Sequence, residues 1–230
     1  MGCSGRMGLQ LCALLADDFF HEGNSLELAD AICRNKKLTS IEGVSTRTID
    51  EPPREPVHLW IDFSQPEGTV KLLEQIDTPV VIGTTGFTPA QTEAIDYYAK
   101  RHPVLLASNT SPGMNLLYRI LEELAVPSWS NQTVLYEEHH GKKKDSPSGT
   151  AKELLKILEG RGIDDVQVHA VRGGSAPGIH SIRFLGELEE LELTHRVADR
   201  KVFAQGALLA GLALLKKKTP GRYAMKDLAI

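Results

Sequence analysis

The chain has 230 residues, 41% hydrophobic and 24% charged, enough for one large domain or two small ones with a sizeable core. The net charge of −4 mixes both signs, so there is no basic field for a nucleic-acid partner. No apolar run approaches the ~18 residues of a membrane span, and the N-terminus lacks the basic region and apolar core of a signal peptide, so a cytoplasmic location away from membranes is expected.

Residues 2 to 8 read Gly2, Cys3, Ser4, Gly5, Arg6, Met7 and Gly8, and lead into the helical apolar pattern Leu9, Leu11, Cys12, Leu14, Leu15. Glycines ahead of a helix let a dinucleotide pyrophosphate approach the backbone and the helix N-terminus. The spacing is Gly-x-x-Gly-x-x-Gly, so alone it also fits a plain glycine turn. A loop of this kind normally follows a buried strand, and here it starts at residue 2, so the first strand of the fold is expected to be missing and the recorded start to lie inside a longer chain. The cysteines Cys3, Cys12 and Cys33 are odd in number and lack metal-ligand spacing; reduced thiols are expected.

Ser25 to Cys33 alternates like a second strand. The acid that binds the adenosine ribose normally ends that strand, but Cys33 stands there, followed by Arg34, Asn35, Lys36 and Lys37. Without an acid to repel it, a 2′-phosphate is tolerated, so NADPH should serve at least as well as NADH. The lysines also fit a solvated surface. The segment Glu51 to Pro56 reads as an extended loop.

Val57 to Phe63 suits a buried strand, with a helix from Gly68 to Gln75 after it. Pro79 to Ile82 is another strand, ending in Gly83, Thr84, Thr85 and Gly86, where a parallel sheet presents its ligand-binding edge. Pro89 opens a helix through Arg101, and Val104 to Ala107 is the next strand. Ser108, Asn109 and Thr110 precede a helix from Met114 to Leu124. The order then turns strand-rich: 134–139, 167–171, 178–185 and 190–197 read as strands, marking a second, α+β domain. A long apolar helix from Val202 to Leu215 follows.

The densest chemistry lies between Glu137 and Ala151, which holds His139, His140, three lysines and Asp145 before Ser148, Gly149 and Thr150. Thr150 and Glu153 have capping-box spacing, which predicts a helix N-terminus whose free N–H groups favour a carboxylate. Histidine supplies a proton near neutral pH, and lysine supplies charge. A solvated loop is the plainer reading. Zinc is disfavoured, because adjacent histidines point to opposite sides of a strand and no further ligand follows at the right spacing; no metal is expected.

The stretch Glu-x-His-His-x-x-Lys-x-Asp-x-Pro-Ser-Gly-Thr-Ala resembles the signature of the dihydrodipicolinate reductase family. So do Gly2 to Gly8, Asp62 to Pro66, Gly83 to Gly86, Asn109 to Asn115, the segment from His195 through Arg200 to Ala207, and Pro220 to Asp227; the similarity covers nearly the whole chain. It departs from the family at Thr110 and at Ile179, where a glutamate is usual before His180. The resemblance implies an α/β chain. Its Rossmann-like dinucleotide domain would be residues 1–110 with 201–230, and its mixed-sheet substrate-binding and oligomerisation domain residues 111–200. It implies NADPH- or NADH-dependent reduction of a small dicarboxylate, 4-hydroxy-tetrahydrodipicolinate, by a homotetramer. His139 and Lys143 are then the catalytic pair, with His140, Gly149 and Thr150 binding substrate. Gly2 to Met7, Cys33, Arg34, Gly83, Thr84, Thr85, Ser108, Asn109 and Thr110 would bind the cofactor. Asp145 would brace the lysine loop, and His180 and His195 would be structural. A reductase for another small acid, or a nucleotide sensor that kept the fold and lost the chemistry, remain alternatives.

Overall fold

The computed structural model describes residues 1–16, 26–34, 38–52 and 56–228. Ser25, the lysines at 36 and 37 with Asn35, and the 53–55 part of the proline segment lie outside the described residues. The elements in chain order are α1 (Arg6–Ala16), β1 (Ala31–Ile32), β2 (Ser40–Ile41), β3 (Val44–Arg47), β4 (Trp60–Asp62), α2 (Pro66–Leu73), β5 (Val80–Ile82), α3 (Pro89–Ala99), β6 (Pro103–Leu106), α4 (Pro112–Glu123), β7 (Gln132–His139), α5 (Gly149–Gly160), β8 (Val166–Arg172), β9 (Ile179–Leu185), β10 (Glu190–Arg196), α6 (Lys201–Leu215) and β11 (Gly221–Tyr223). They form two compact units, Met1–Ser111 with the segment from Lys201 onward, and Pro112–Arg200.

In the first unit β4, β5, β6 and β11 form an all-parallel sheet in the order β11-β6-β5-β4. Val80, Val81 and Ile82 are all fully buried, as a parallel strand covered on both faces requires. Helix α6 packs on this sheet through small residues. Ala204, Ala207 and Ala210 are fully buried, and a Cβ at Gly211 would lie 2.5 Å from Leu59. Asp62, also fully buried, accepts from Thr69 Oγ1, from Thr84 Oγ1 (3.0 Å) and from Ser64 N–H (3.1 Å), which fixes the turn beyond β4. Thr88 and Gln91 cap α3 reciprocally behind the predicted proline.

A smaller sheet, β1-β3-β2, stands apart from this one. Among the described residues no strand lies between β1 and β4. The backbone of residues 1–3 bridges them: Met1 bonds Ile61 and Phe63, while Gly2 and Cys3 N–H donate to Ile32 O at 2.9 and 3.1 Å. An apolar cavity of about 450 Å³ lies below, lined by Leu11, Cys12, Leu26, Ile32, Trp60 and Leu208.

Two expectations fail here. The strand predicted from Ser25 to Cys33 is only Ala31–Ile32 among the described residues, because β3 offers it parallel partners only at Thr46 and Arg47. Alternation gives a strand a face to bury, but ladder partners decide its length. The cysteines are not all reduced. Cys3 and Cys33 form a disulfide with Cα atoms 5.5 Å apart, leaving Cys12 free and buried. The glycine loop folds over the end of β1 and brings together two thiols far apart in sequence, which spacing cannot show.

In the second unit a mixed sheet runs β10-β9-β7-β8, with β7–β8 parallel and the other pairs antiparallel. Alternate residues divide its faces. Leu135, Ile182 and Phe184 pack against Met114 and Leu117 of α4 and Leu154 and Leu158 of α5. The opposite face carries Tyr136, His169, Ser181, Arg183, Glu192 and Thr194 around a hollow of about 360 Å³, with no helix over it among the described residues. No helix among the described residues is long and apolar enough to cross a membrane.

Protein unfolded without reductant should show one alkylatable thiol, Cys12; prior reduction should raise this to three. Mass spectrometry of the alkylated chain reads both states, and three free thiols before reduction would contradict the bridge.

Candidate active site

On the helix-facing side of the second sheet the apolar layer gives way to polar groups near the end of β7. Glu137 and His139 share this face because they are two residues apart on a strand. Register brings His180 of β9 opposite Glu137, His195 of β10 opposite His180, and Arg172 of β8 opposite His139. Five chemically active side chains from four strands thus converge on one face.

Glu137 is fully buried. Its Oε1 accepts from Arg172 at 2.6 Å and from Ser148 N–H at 2.9 Å. Its Oε2 lies 3.1 Å from His139 Nδ1 and 3.7 Å from His180 Nε2. Burial raises the carboxyl's pKa, but the Ser148 and Arg172 hydrogen bonds outweigh this and hold it below the usual carboxylate range. His139 is buried too, and burial lowers its pKa, opposed by Glu137 and reinforced by Lys143 and Arg172. Its other nitrogen, Nε2, faces Gly178, where a Cβ would come within 3.1 Å. His180 meets His139 edge-on, with ring centroids 5.0 Å apart, and burial with its charged neighbours pushes it down to about 3. His195 packs on the backbone of Gly113 and is lowered by burial.

The helix N-terminus beside this cluster differs from the expected one. Ser148, not Thr150, caps α5: its Oγ accepts from Ala151 N–H at 3.1 Å. The Thr150–Glu153 box does not form, because the cap lies two residues earlier, at Ser148, whose backbone is extended as a cap requires. Gly149 and Thr150 therefore sit in the first turn. Asp145 bonds Gly149 N–H and pairs with Lys143 Nζ at 2.8 Å, so it does tie the lysine loop to the helix. Lys142 and Lys144 are exposed. His140 is half-buried, its N–H bonded to Ala176 O at 3.0 Å.

The predicted cofactor residues cluster in the first unit. Gly2 has φ +82, and a Cβ there would lie 2.6 Å from Phe63 O; a Cβ at Gly8 would lie 2.2 Å from Gly2 O. The loop closes through Gly5 N–H on Gly2 O, leaving Ser4, Gly5 and Arg6 exposed at the start of α1 and Met7 packed inward. This cradle, too tight for side chains and open at a helix N-terminus, fits a dinucleotide pyrophosphate. Cys33 is held in the disulfide, and Arg34 reaches Gln65 at 3.4 Å. Gly83 packs on the Phe63 ring, Thr84 is buried on Asp62, and Thr85 is exposed. Ser108 is exposed, and Asn109 Oδ1 accepts from Ser111 N–H at 2.9 Å. Thr110 is buried, its hydroxyl donating to Phe203 O at 2.7 Å.

Sequence reasoning assigned no role to Glu137, Ser148 or Arg172. The i, i+2 spacing of Glu137 and His139 was the available signal; the approach of Arg172 and His180 depends on strand register. Glu137, His139 and His180 also place three ligand-type atoms within 4.8 Å of one another, a grouping that spacing along the chain did not reveal.

A glycine cradle at the head of a parallel sheet, with an imidazole, lysine and arginine cluster on a second, mixed sheet, defines a nicotinamide-dependent oxidoreductase of the Rossmann type. Residues 1–110 match the family described as "Dihydrodipicolinate reductase, N-terminus", and residues 113–229 match "Dihydrodipicolinate reductase, C-terminus". The chain belongs to the dihydrodipicolinate reductase family. It is 34% identical to the 4-hydroxy-tetrahydrodipicolinate reductase of Desulfovibrio desulfuricans, across 99% of this chain and 97% of that protein. The enzyme of the same name from Xanthomonas campestris pv. campestris is 36% identical, across 100% and 95%. Among solved structures, a dipicolinate-bound dihydrodipicolinate reductase from Paenisporosarcina sp. TG-14 has the same fold, with TM-score 0.72 and 19% identity over 97% of this chain and 95% of that one.

The lowered pKa of His180 carries a stability consequence. The unfolded ring takes up its proton near 6.5, whereas the folded ring does so only at about 3. Stability should therefore be complete above 6.5 and decline as pH falls towards 3, this ring alone contributing a slope approaching ~1.4 kcal/mol per pH unit. Urea unfolding across that window checks it, and His180→Gln should flatten the slope.

Proposed function

We propose that the chain reduces 4-hydroxy-tetrahydrodipicolinate to tetrahydrodipicolinate with NADPH or NADH, releasing the 4-hydroxyl as water, on the route to diaminopimelate and lysine. The observation that carries this reading is the convergence of His139, held against the buried Glu137 carboxylate, and of Lys143, paired with Asp145 and close enough to lower the His139 pKa, beside a helix N-terminus. The cofactor supplies the hydride when bound. The first unit holds it, with Gly2 to Met7 at the pyrophosphate, Cys33 and Arg34 towards the adenosine ribose, and Gly83, Thr84, Thr85, Ser108, Asn109 and Thr110 towards the nicotinamide.

The second unit binds the dicarboxylate. Lys143, His140 and the first turn of α5 at Gly149 and Thr150 hold its carboxylates, a ligand class suggested by the dipicolinate bound to the related reductase. His139 donates the proton through Nε2, the nitrogen that does not face Glu137. In the free protein, burial and the cations at Lys143 and Arg172 lower this ring's pKa, against the opposing pull of Glu137. A dicarboxylate at Lys143 offsets the cationic field and raises the ring's pKa, so ligand arrival and protonation are coupled. The open face of the second sheet supports a homotetramer, since an uncovered mixed sheet of this size has a face left to bury. The protein works in the cytoplasm.

His139→Ala should lower kcat about 100-fold or more with nucleotide affinity unchanged, and Lys143→Ala should lower kcat and raise the substrate KM. Nicotinamide oxidation measures both, with substrate made in situ from pyruvate and aspartate semialdehyde by the preceding synthase, and NADH and NADPH run in parallel. Cofactor binding without turnover would favour a sensor; turnover of an unrelated acid would favour a different reductase. Light scattering should give a mass four times that of the chain, and a monomer would remove the tetramer.

A further inference from the structure

We propose that Glu137 is the positioning residue of this site, a buried carboxylate that orients His139 and links its protonation to the N-terminus of α5; the proposal rests on the reading of His139 as the proton donor. Four observations converge. Glu137 is fully buried, in a place where a carboxylate is retained only if other groups hold its charge. Its two oxygens have separate tasks. Arg172 and Ser148 N–H take Oε1, so the carboxylate cannot turn. Oε2 makes no hydrogen bond and faces His139 Nδ1, also without a hydrogen-bond partner, as an ion-pair contact at 3.1 Å. The strand fixes the direction, since Glu137 and His139 project from the same face of β7.

The consequence for the ring follows from its two nitrogens. A carboxylate at Nδ1 favours the tautomer with the proton on Nδ1 and stabilises the doubly protonated ring. Nε2 is then the atom that gives and regains a proton, on the side that Gly178 keeps free of a side chain. Ser148 couples the second partner. Its N–H donates to Glu137 while its hydroxyl caps α5, and the same hydroxyl lies 3.3 Å from His180 Nε2. A shift of the Glu137 carboxylate would therefore move the first turn of α5 and the imidazole together. Arg172 serves the same end from β8, and its guanidinium also donates to Asp145 O in the lysine loop at 2.6 Å.

The test uses Glu137→Gln, which keeps shape and removes charge, and Glu137→Asp, which keeps charge and withdraws it by one methylene. Each is measured for kcat against pH, for nucleotide affinity by nicotinamide fluorescence, and for the His139 ring titration by nitrogen-15 NMR of the full-length protein. Glu137→Gln should lower kcat about 100-fold with nucleotide affinity unchanged. The alkaline fall of kcat and the ring titration should both move to lower pH, with the Asp variant between Gln and wild type. If Glu137→Gln does not fold, Glu137→Asp alone must show the same downward displacement of both titrations. Titrations that stay in place, with loss confined to thermal stability, would reduce Glu137 to a scaffold residue and overturn the proposal. The ring titration is read without turnover. An active His139→Ala variant would therefore overturn the donor assignment alone, while an unmoved ring would overturn the positioning role alone.

Discussion

The carboxylate of Glu137 is fully buried, and the polar groups gathered at the end of β7 hold its charge. Arg172 reaches it from the neighbouring strand, and the backbone of Ser148 reaches it from the start of a helix. Removing one partner of such a buried pair typically costs about 3–5 kcal/mol, because the other charge is left uncompensated. Local features are thereby bound to one another. The cap of α5, the end of β7 and the tilt of the His139 ring cannot be set independently. This linkage fixes the geometry of the cluster, so its groups are aimed before any ligand arrives.

A different constraint governs the first unit, that of backbone approaching backbone. Gly2 lies against Phe63 O and Gly8 against Gly2 O, at distances no Cβ could occupy. The glycine loop is thereby pressed onto the ends of β1 and β4, and Cys3 is carried to Cys33. Asp62 completes the edge from inside, collecting the hydroxyls of Thr69 and Thr84 so that the turns beyond β4 and β5 share one anchor. The result is a tightly held glycine loop at the N-terminus of α1, a place suited to phosphate.

Much of this was legible in the residues. The apolar runs read at Pro79–Ile82 and Val104–Ala107 became β5 and β6, Thr88-Pro89 became a helix start, and the strand read at 134–139 became β7, which begins two residues earlier. These signals are local, because one segment carries both the pattern and its cause. The misreadings came where the cause lay elsewhere. Thr150 and Glu153 had the spacing of a cap, yet Ser148 took that role because Glu137, on another element, fixes its N–H. Ser25 to Cys33 had the alternation of a strand, yet β3 pairs only with its end.

By itself the sequence determined the order of elements, the change from alternating strand and helix to a strand-rich unit, and the residue types at the end of β7. It could do so because periodicity, glycine and proline act on their own neighbours. Only the tertiary structure decided that Arg172 and His180 join Glu137 and His139, that His195 lies beyond them, and that Cys3 meets Cys33. These meetings depend on strand register and loop path, which arise from burying whole faces at once. No short stretch of chain encodes them, and the chemistry of the site resides in them.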